Sequence, residues 1–210
     1  MRFLALIPAR SGSKRLPGKN LAPINGMTLV EIAVNAAEAS GRFAGRITLS
    51  TDDDTLVPVS YMHWVDKRPA ALAADDTPMI DVVRHVVQKA AADLSFDAVV
   101  LLQPTSPLRT AADIDGACLL MESMQADALV SVTQTRHPEV YTIGYLNRLR
   151  PVSMGLEGRP LVVPNGAIFI ITKKALDEGK DWWTAVTCYA YKMHANRSGG
   201  IDTADDLEKA

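Results

Sequence analysis

The chain has little of the features that mark several large classes of protein. It has only two cysteines, Cys118 and Cys188, which lie far apart in apolar runs. That pattern excludes a disulfide framework and is typical of reduced core thiols in a cytoplasmic protein, with a single bridge between them as the alternative. The formal net charge is only −2, from 22 lysines and arginines against 24 acidic residues. Without an overall basic field, we expect no nucleic-acid partner.

Long apolar runs are also missing. The best candidate near the start, residues 3–9, contains Pro8 and is followed at once by a basic segment. It is too short for a membrane helix and poorly shaped for a signal peptide, so we expect no membrane partner. Its continuous apolar character instead predicts a parallel strand that is buried on both faces.

Enough apolar residues are nevertheless present for a large core. Hydrophobic residues make up 48% and charged residues 22% of the 210 positions, which excludes intrinsic disorder. The length favours one domain, residues 1–210, over two. Strand-like and helix-like patterns alternate along the chain, which predicts a layered α/β sheet.

The positions of these elements follow from hydrophobic spacing. Short apolar segments predict strands at 3–7, 46–50, 98–102, 128–132, 167–172 and 187–193. Apolar residues three and four apart, with cap signals, predict helices at 29–39, 79–94, 110–125 and 203–209. Between residues 133 and 164 the pattern weakens and Pro138, Pro151 and Pro160 appear, which predicts a hairpin excursion.

The strongest physical signal is a local charge asymmetry, because no acidic residue precedes Glu31. The loop at 10–19 holds four cations and two glycines: Arg10, Lys14, Arg15, Lys19, Gly12 and Gly18. It follows the first predicted strand and so emerges at the carboxyl edge of the sheet, where open α/β folds bind ligands. Exposed N–H groups and cations suit a polyphosphate, with a solvated basic loop as the alternative. The spacing matches neither G-x-x-x-x-G-K-[ST] nor G-x-G-x-x-G.

Short motifs follow one another in a recognisable order from end to end. They are LIPARSGSKRLPGKN at 6–20, STD at 50–52, RP at 68–69, LAADDTP at 72–78, LLQPTSPLR at 101–109, PNGAIF at 164–169 and IDT at 201–203. Together they resemble the cytidylyltransferases that activate sialic acid and related nine-carbon sugars. Residues 101–109 are the most diagnostic part of this resemblance.

The resemblance implies a fold and a reaction. The fold would be a three-layer, Rossmann-like α/β domain of the nucleotide-diphospho-sugar transferase type, with a mostly parallel sheet, helices on both faces and a small β excursion. The reaction would transfer CMP from CTP to the anomeric hydroxyl of an α-keto acid sugar, sialic acid or a related nonulosonic acid, and release pyrophosphate. Mg²⁺ would be the cofactor. The protein would be a homodimer, with residues 133–164 as a candidate dimerisation element.

Site residues carry over position by position. By similarity, the catalytic cations that hold the triphosphate would be Arg10, Lys14 and Lys19. The nucleotide would contact Ala9, Arg10, Ser11, Gly12, Ser13, Asn20, Arg68, Asp76 and Thr77. Of these, Asn20 and Arg68, with the turn at 75–77, would surround the ribose and cytosine. The acceptor sugar would contact Gln103, Thr105, Ser106, Asn165 and Gly166, and Asp202 would bind Mg²⁺. On the residues alone, the alternatives are a strand end for Gln103 and a helix N-cap for Asp202.

Two positions depart from the family pattern. Gly200 stands where the family has the first aspartate of D-x-D-T, and Val163 stands where an arginine commonly precedes P-N-G. The loss of one carboxylate predicts either a stronger dependence on free Mg²⁺ or help from another acid such as Asp205. It also leaves a nucleotide-binding protein without turnover as an alternative. The loss of the arginine leaves the acceptor open among sialic, pseudaminic and legionaminic acids or a shorter keto acid. A nucleotidyltransferase for 3-deoxy-octulosonate is the remaining alternative.

Other features carry less information. The four histidines have no zinc-ligand spacing. Asp52 is expected to end a strand, while Asp53 and Asp54 cap the next helical turn. The neighbouring Trp182 and Trp183 predict either a dimer contact or packing beneath the last strand.

Overall fold

The computed structural model describes residues 1–13, 15–60, 64–135, 141–143, 149–151 and 161–209. The strands are β1 Phe3–Pro8, β2 Pro23–Ile24, β3 Met27–Thr28, β4 Ile47–Thr51, β5 Trp64–Lys67, β6 Ala98–Leu101, β7 Ala128–Gln134, β8 Tyr141–Ile143, β9 Leu149–Pro151, β10 Leu161–Thr172 and β11 Cys188–Lys192. The helices are α1 Leu29–Ala39, α2 Met79–Ala90, α3 Ala111–Ser123, α4 Lys173–Asp177 and α5 Ala204–Glu208. None of the helices in these residues combines the length and the apolar character that a bilayer crossing requires.

A nine-stranded sheet forms the middle layer. Its main path runs β11-β7-β10-β6-β1-β4-β5, and β8 and β9 extend it beside β10. β1 lies at the centre and is parallel to both β4 and β6. The β4–β5 and β7–β11 pairs are also parallel, whereas β10 is antiparallel to β6 and β7. The predicted three-layer, mostly parallel α/β fold is therefore confirmed.

The central strand shows why the sheet is covered on both faces. All six residues of β1 are buried. Phe3, Ala5 and Ile7 belong to one hydrophobic cluster, and Leu4 and Leu6 belong to the other. Because successive side chains of a strand point to opposite faces, a strand between two apolar layers must be apolar at every position. The seven-residue apolar run in the sequence is this strand, as predicted.

Helices supply the two outer layers. α1 and α3 contribute Val30, Ala33 and Ile114 to the cluster that contains Phe3. α2 contributes Val83 and Val86 to the cluster on the other face. The three helices therefore hold the sheet from both sides and leave its carboxyl edge open.

Capping residues set where two of these helices begin. The Thr28 side chain accepts from the Glu31 N–H at the start of α1, and Thr110 accepts from the Asp113 N–H at the start of α3. In both cases the acidic side chain bonds back to the backbone N–H of the cap, which completes a capping box. The predicted start of α1 is confirmed to the residue. α2 ends at Ala90, earlier than predicted, and Leu94 reaches the core from the turn that follows.

Two parts of the topology differ from the prediction. β5 was not predicted, because it has only four residues and the most buried of them is Asp66, so its apolar pattern is interrupted. β10 begins at Leu161 rather than 167 and so overlaps the predicted excursion. Within residues 133–164, β8 and β9 form an antiparallel pair. Positions 136–140, 144–148 and 152–160 lie outside the described residues, and a dimerisation role for the segment stays a prediction.

Candidate active site

Loops that leave the carboxyl ends of β1, β5 and β6 surround one cavity of about 430 Å³, which we call the first cavity. Most of its lining residues were predicted from the sequence to bind ligand. These are Arg10, Ser13, Lys19, Asn20, Arg68, Gln103 and Thr105, and the remaining walls come from Pro8, Arg15, Leu16, Asp75, Met79 and Pro104. The charged loop and the QPTSPLR segment, far apart in sequence, therefore meet at one site.

The loop after β1 is fixed at both ends by hydrogen bonds. The Asn20 side-chain amide donates to the Arg10 carbonyl at 2.8 Å, which closes the loop on itself. Gly18 has φ 68°, a left-handed conformation that an L side chain rarely adopts, and it starts the short turn that contains Lys19. Ala9, at the base of the loop, is buried and its N–H donates to the Ser50 carbonyl at 2.9 Å. A backbone held in this way can present N–H groups to an anion.

Asp52 ties the same loop to the end of β4. Its two carboxylate oxygens accept from the Ser11 N–H at 2.8 Å and from the Ser11 hydroxyl at 2.7 Å. Burial disfavours the charged carboxylate, but the Ser11 hydrogen bonds outweigh that effect, and the pKa of Asp52 is lowered overall. β4 ends one residue before Asp52. Asp53 accepts from the Thr55 N–H at 2.9 Å, as expected for a residue that caps the next turn.

The loop cations face carboxylates. Arg10 Nη2 lies 2.7 Å from Asp75 Oδ1, and Lys19 Nζ lies 3.0 Å from Asp202 Oδ1. Arg15 approaches the other Asp202 oxygen at 3.8 Å. The catalytic assignment of Lys14 falls outside the described residues. In these pairs the carboxylate oxygens occupy positions beside the cations at which phosphate oxygens could bind instead. The cations can therefore hold an anionic ligand.

Arg68 is a buried cation beside the charged loop. Its guanidinium donates through Nη2 to the Ser50 carbonyl at 2.8 Å and through Nε to the Ser50 hydroxyl at 3.2 Å. Burial lowers the pKa of Arg68 from its ordinary value, while the carboxylates of Asp52 and Asp66 oppose that shift. A desolvated guanidinium that lines a cavity is well suited to bind the polar groups of a ligand.

The predicted nucleotide turn at 75–77 contributes through its first residue. Asp75 lines the first cavity and pairs with Arg10, although Asp76 and Thr77 were the residues predicted to bind the nucleotide. Asp76 is exposed. The Thr77 hydroxyl donates to the Ala71 carbonyl at 3.5 Å. Asp75 belongs to the turn that was predicted to surround the nucleotide, but its pairing with Arg10 was not predicted, because the sequence does not show which of two adjacent aspartates faces the charged loop.

A second cavity of about 360 Å³ adjoins the first and shares Met79 and Gln103 with it. Its walls are mainly apolar and include Phe169 and Trp182, whose ring centroids lie 5.2 Å apart. Trp182 is buried and Trp183 is half exposed. Packing in the core near the last strand, one of the two predictions for this pair, is confirmed for Trp182. Its place beside Gln103 was not predicted, because two adjacent tryptophans carry no spacing that indicates it.

The QPTSPLR segment that separates the two cavities is braced by Arg109. Arg109 is 3% exposed as a residue, and its Nη1 donates to the carbonyls of Gln103 at 3.2 Å and Ala167 at 2.8 Å. Burial lowers the pKa of Arg109 to about 10. The motif pointed to this segment, but nothing in the sequence showed that its last residue links β6 to β10. Ser106 is buried behind Gln103, and its N–H donates to the Gln103 carbonyl.

The two residues predicted from P-N-G are placed differently. Gly166 has φ 76°, and a Cβ built on it would lie 3.6 Å from Gln103 Oε1 and 3.7 Å from Ser106 Oγ, so it packs against the predicted acceptor residues. The Asn165 side chain is used internally. Its amide donates to the Ser198 hydroxyl at 2.9 Å, and its oxygen accepts from the Ser131 hydroxyl at 2.6 Å. A direct substrate contact by Asn165 stays a prediction.

Asp202 reaches the site on a segment held against the QPTSPLR loop. The Ile201 N–H donates to the Thr105 carbonyl at 2.7 Å, and Thr203 rather than Asp202 is the N-cap of α5. Over the described ranges, no group of three or more histidine, cysteine, aspartate or glutamate side chains forms a metal site. Mg²⁺ often keeps several waters and binds through one carboxylate and substrate phosphates. The single Asp202 carboxylate fits that mode and does not fit an all-protein metal cage.

Comparison with known proteins decides the family. A family model described as cytidylyltransferase matches residues 4–143. The chain belongs to the cytidylyltransferase family. Among curated members of this family, it is 33% identical to the N-acylneuraminate cytidylyltransferase of Streptococcus agalactiae serotype V, across 99% of this chain and 52% of that protein. It is 31% identical to the CMP-N,N'-diacetyllegionaminic acid synthase of Legionella pneumophila, across 98% of this chain and 93% of that protein.

Solved structures support the same fold for this cytidylyltransferase. A CMP:2-keto-3-deoxy-manno-octonic acid synthetase complexed with CTP superposes with a TM-score of 0.75, at 17% identity, over 100% of this chain and 96% of that one. The bifunctional IspDF of Campylobacter jejuni gives a TM-score of 0.69 at 13% identity, over 100% of this chain and 54% of that one. The chain spans about half the length of the streptococcal relatives that it matches.

Proposed function

We propose that this cytidylyltransferase transfers CMP from CTP to the anomeric hydroxyl of an α-keto acid sugar of the nonulosonic acid class and releases pyrophosphate. The observation that carries the proposal is the meeting of the cationic loop 10–19, Arg68 and Gln103 around one cavity. The names of the streptococcal and Legionella relatives support a nonulosonic acid as the acceptor.

The first cavity would hold the nucleotide. Arg10, Lys14 and Lys19 would bind the triphosphate, with N–H groups from Ala9 to Ser13 beside them. Asn20 would act by closing the loop on the Arg10 carbonyl, which the structure shows at 2.8 Å. Arg68 and the 75–77 turn, with Asp76 and Thr77, would lie near the ribose and the base. A triphosphate would displace Asp75 and Asp202 as the ionic partners of Arg10 and Lys19, because its charge density exceeds that of a single carboxylate.

The second cavity would hold the acceptor. It adjoins the first at Gln103, so a sugar placed there would lie next to the nucleotide. Gln103 supplies a polar group to the lining of this cavity, and the Phe169 and Trp182 rings supply an apolar wall. Gly166 lies against Gln103 and Ser106, and Thr105 lines the adjoining first cavity, so we propose that these residues contact the acceptor from the Gln103 side. A sugar that carries a carboxylate at one end and an acyl group at the other matches this polarity.

The chemistry requires positioning and charge neutralisation more than a reactive side chain. The anomeric oxygen attacks the α-phosphorus, the bond from that phosphorus to the bridging oxygen breaks, and pyrophosphate leaves as the hydroxyl proton is released. Arg10 and Lys19 would stabilise the charge that accumulates on the leaving group. The two adjoining cavities hold the reactants in one orientation, which removes most of the entropic barrier to a bimolecular step.

Mg²⁺ is part of the proposal. Asp202 would hold it together with triphosphate oxygens, and the ion would supply neutralisation of phosphate charge. We also propose a cytoplasmic homodimer. The free state of both cysteines is compatible with a reducing compartment. The segment 133–164 is the proposed dimerisation element.

The test is pyrophosphate release from CTP and Mg²⁺ with a panel of sialic, legionaminic, pseudaminic and 3-deoxy-octulosonic acids. Release with a nonulosonic acid supports the proposal. Release with 3-deoxy-octulosonate alone supports the alternative acceptor. CTP binding without release for any acceptor would identify a nucleotide-binding protein that has lost turnover, which Gly200 in place of a carboxylate makes a defined alternative.

A further inference from the structure

A buried carboxylate lies beneath the nucleotide side of the site. The Asp66 side chain on β5 has no exposed surface. Its Oδ2 accepts from the Ser50 hydroxyl at 2.8 Å. Its Oδ1 accepts from His85 Nε2 at 3.1 Å and from Lys89 Nζ at 3.0 Å. A buried charge persists only when such partners compensate its desolvation, so Asp66 is fully used on both oxygens.

The sheet register connects Asp66 to Arg68. Ser50 and Asp66 are Cα partners in the parallel β4–β5 pair. Arg68 follows Asp66 by two residues and so points to the same side of the strand. Its Nε and Nη2 both donate to Ser50, through the hydroxyl at 3.2 Å and the carbonyl at 2.8 Å. The Ser50 hydroxyl therefore donates to Asp66 and accepts from Arg68.

The direction of this chain of hydrogen bonds matters. An ionised Asp66 can only accept, so it takes the single Ser50 proton and leaves the lone pairs of that oxygen for Arg68 Nε. With one edge of the guanidinium fixed in this way, Nη1 makes no hydrogen bond to the other residues of the described ranges, and Arg68 lines the first cavity. The negative charge of Asp66 also supports the charged form of Arg68.

We propose that Asp66 is a positioning residue for nucleotide binding, acting through Ser50 to aim the free edge of the Arg68 guanidinium at bound CTP. The inference rests on the proposed function, because it takes CTP as the ligand of the first cavity. His85 and Lys89 hold the far oxygen of Asp66 from α2, the helix whose first residue, Met79, also lines that cavity. The base and ribose side of the site is thus fixed to both β4 and α2.

The substitution Asp66→Asn tests the direction of the bonds. The introduced amide must keep its oxygen toward the donors of His85 and Lys89, so its NH₂ group faces Ser50 and competes with Arg68 Nε for the hydroxyl oxygen. We expect the Kd for CTP, measured by titration calorimetry, to rise about tenfold. In steady-state assays the KM for CTP should rise while kcat at saturating CTP and the KM for the acceptor stay unchanged.

A double-mutant cycle with Arg68→Ala separates positioning from general destabilisation. Arg68→Ala alone should weaken CTP binding at least as much as Asp66→Asn, and the double variant should bind within about twofold of Arg68→Ala. Ser50→Ala gives a second route, because it removes the linking hydroxyl and should also weaken CTP binding. Asp97→Asn is the matched control. It removes a carboxylate that accepts from Arg2 at the amino ends of the strands, away from the cavities, and should leave the Kd for CTP unchanged.

The outcomes distinguish the two proposals. If wild-type protein does not bind CTP, the proposed function fails and the inference with it. If Arg68→Ala weakens binding but Asp66→Asn and Ser50→Ala bind CTP like the wild type, the positioning role alone is overturned. The same conclusion follows if the effects of Asp66→Asn and Arg68→Ala simply add, because an additive loss shows that Asp66 acts by another route.

Discussion

Arg10 and Lys19, which we assign to the triphosphate, show what a residue contributes at this site. Each is held at the cavity by a carboxylate, Asp75 for Arg10 and Asp202 for Lys19. The Lys19 ammonium group is the more enclosed of the two, since its side chain is only 14% exposed. A preorganised cation in an enclosed place needs little rearrangement when charge develops on a leaving group.

Lys19→Ala should therefore cost about 2–4 kcal/mol of transition-state stabilisation, as the loss of one preorganised charge partner does. This corresponds to a fall in kcat/KM for CTP of roughly thirty- to a thousand-fold. Initial rates of pyrophosphate release measure this directly. Arg2→Ala is the control, because it removes a cation that pairs with Asp97 at the amino ends of the strands. It should leave kcat/KM unchanged. An unchanged kcat/KM for Lys19→Ala would remove this residue from the mechanism.

Gly200 gives a gain-of-function prediction. A Cβ at this position would lie 3.6 Å from the Thr105 carbonyl oxygen, an ordinary contact, so a side chain fits. Gly200→Asp should restore the missing carboxylate two residues before Asp202 and lower the Mg²⁺ concentration for half-maximal activity by about threefold or more. Gly200→Asn is the matched control for size. An equal shift with asparagine would show that backbone change, and not added charge, is responsible.

The sequence predicted many of the residues at the site. Three cations predicted to bind ligand, Arg10, Lys19 and Arg68, line one cavity with Gln103. What the sequence could not show is the pairing. Whether Asp75 or Asp76 faces Arg10 depends on the path of a turn, and the link from Asp66 to Arg68 depends on strand register.

At the scale of elements, the connections between segments determine the shape of the site. β6 and β10 are antiparallel neighbours, and Arg109 joins the loop after β6 to the Ala167 carbonyl on β10. The Gln103 carbonyl is held by the same Nη1 atom. One buried guanidinium thus joins the two segments that supply Gln103 and Phe169 to the walls of the second cavity.

Arg109→Lys should disturb both walls. A lysine lacks the planar fork, and its ammonium group is more strongly hydrated than a guanidinium, so burial at this position disfavours it. We expect unfolding free energy to fall by about 1–3 kcal/mol and the KM for the acceptor to rise more than the KM for CTP. Urea denaturation and steady-state kinetics measure the two effects. A larger effect on CTP than on the acceptor would contradict this assignment of the walls.

Element prediction from the sequence worked where local chemistry is strong. The capping box of Thr28 and Glu31 fixed the start of α1, and the continuous apolar run fixed β1. β5 was missed because its core position is taken by Asp66, whose partners come from β4 and α2. A strand with a buried charge has no apolar signature, and only the assembled tertiary structure supplies the groups that make it stable.

At the scale of the whole molecule, an ion pair away from the site lies at the amino ends of two central strands. Asp97, just before β6, accepts from the Arg2 side chain at 2.8 Å and from the Arg2 N–H at 2.8 Å. These hydrogen bonds lower the pKa of Asp97 to about 2. They join the start of the central strand to its neighbour.

This pair predicts part of the acid sensitivity of the fold. A carboxylate whose pKa is lowered by folding stabilises the native state above its unfolded pKa, near 3.8, and loses that contribution as the pH falls through about 2. Wild-type protein should therefore be more stable than Asp97→Asn at about pH 5, and the difference should shrink steadily toward pH 2. Urea midpoints across this range measure it. A difference that stays constant down to pH 2 would contradict the lowered pKa.

Alternating patterns predicted a layered α/β sheet, and the sheet order, with β10 antiparallel between β6 and β7, came only from the structure. The antiparallel placement could not be predicted because residues 167–172 are apolar in the way that a parallel buried strand is. The choice of CTP follows from membership of the cytidylyltransferase family, whereas the proposal of a nonulosonic acid as acceptor rests on the names of relatives.

The central claim is that the cationic loop 10–19 binds the triphosphate tail of a nucleotide. Titration calorimetry with CTP and with CMP tests it most directly, on wild-type protein and on the Arg10→Ala, Lys19→Ala double variant. We predict that the wild type binds CTP at least tenfold more tightly than CMP, and that the double variant loses this difference while its CMP affinity is kept. Equal affinities for CTP and CMP in the wild type, or a preference for CTP that survives in the variant, would contradict the account.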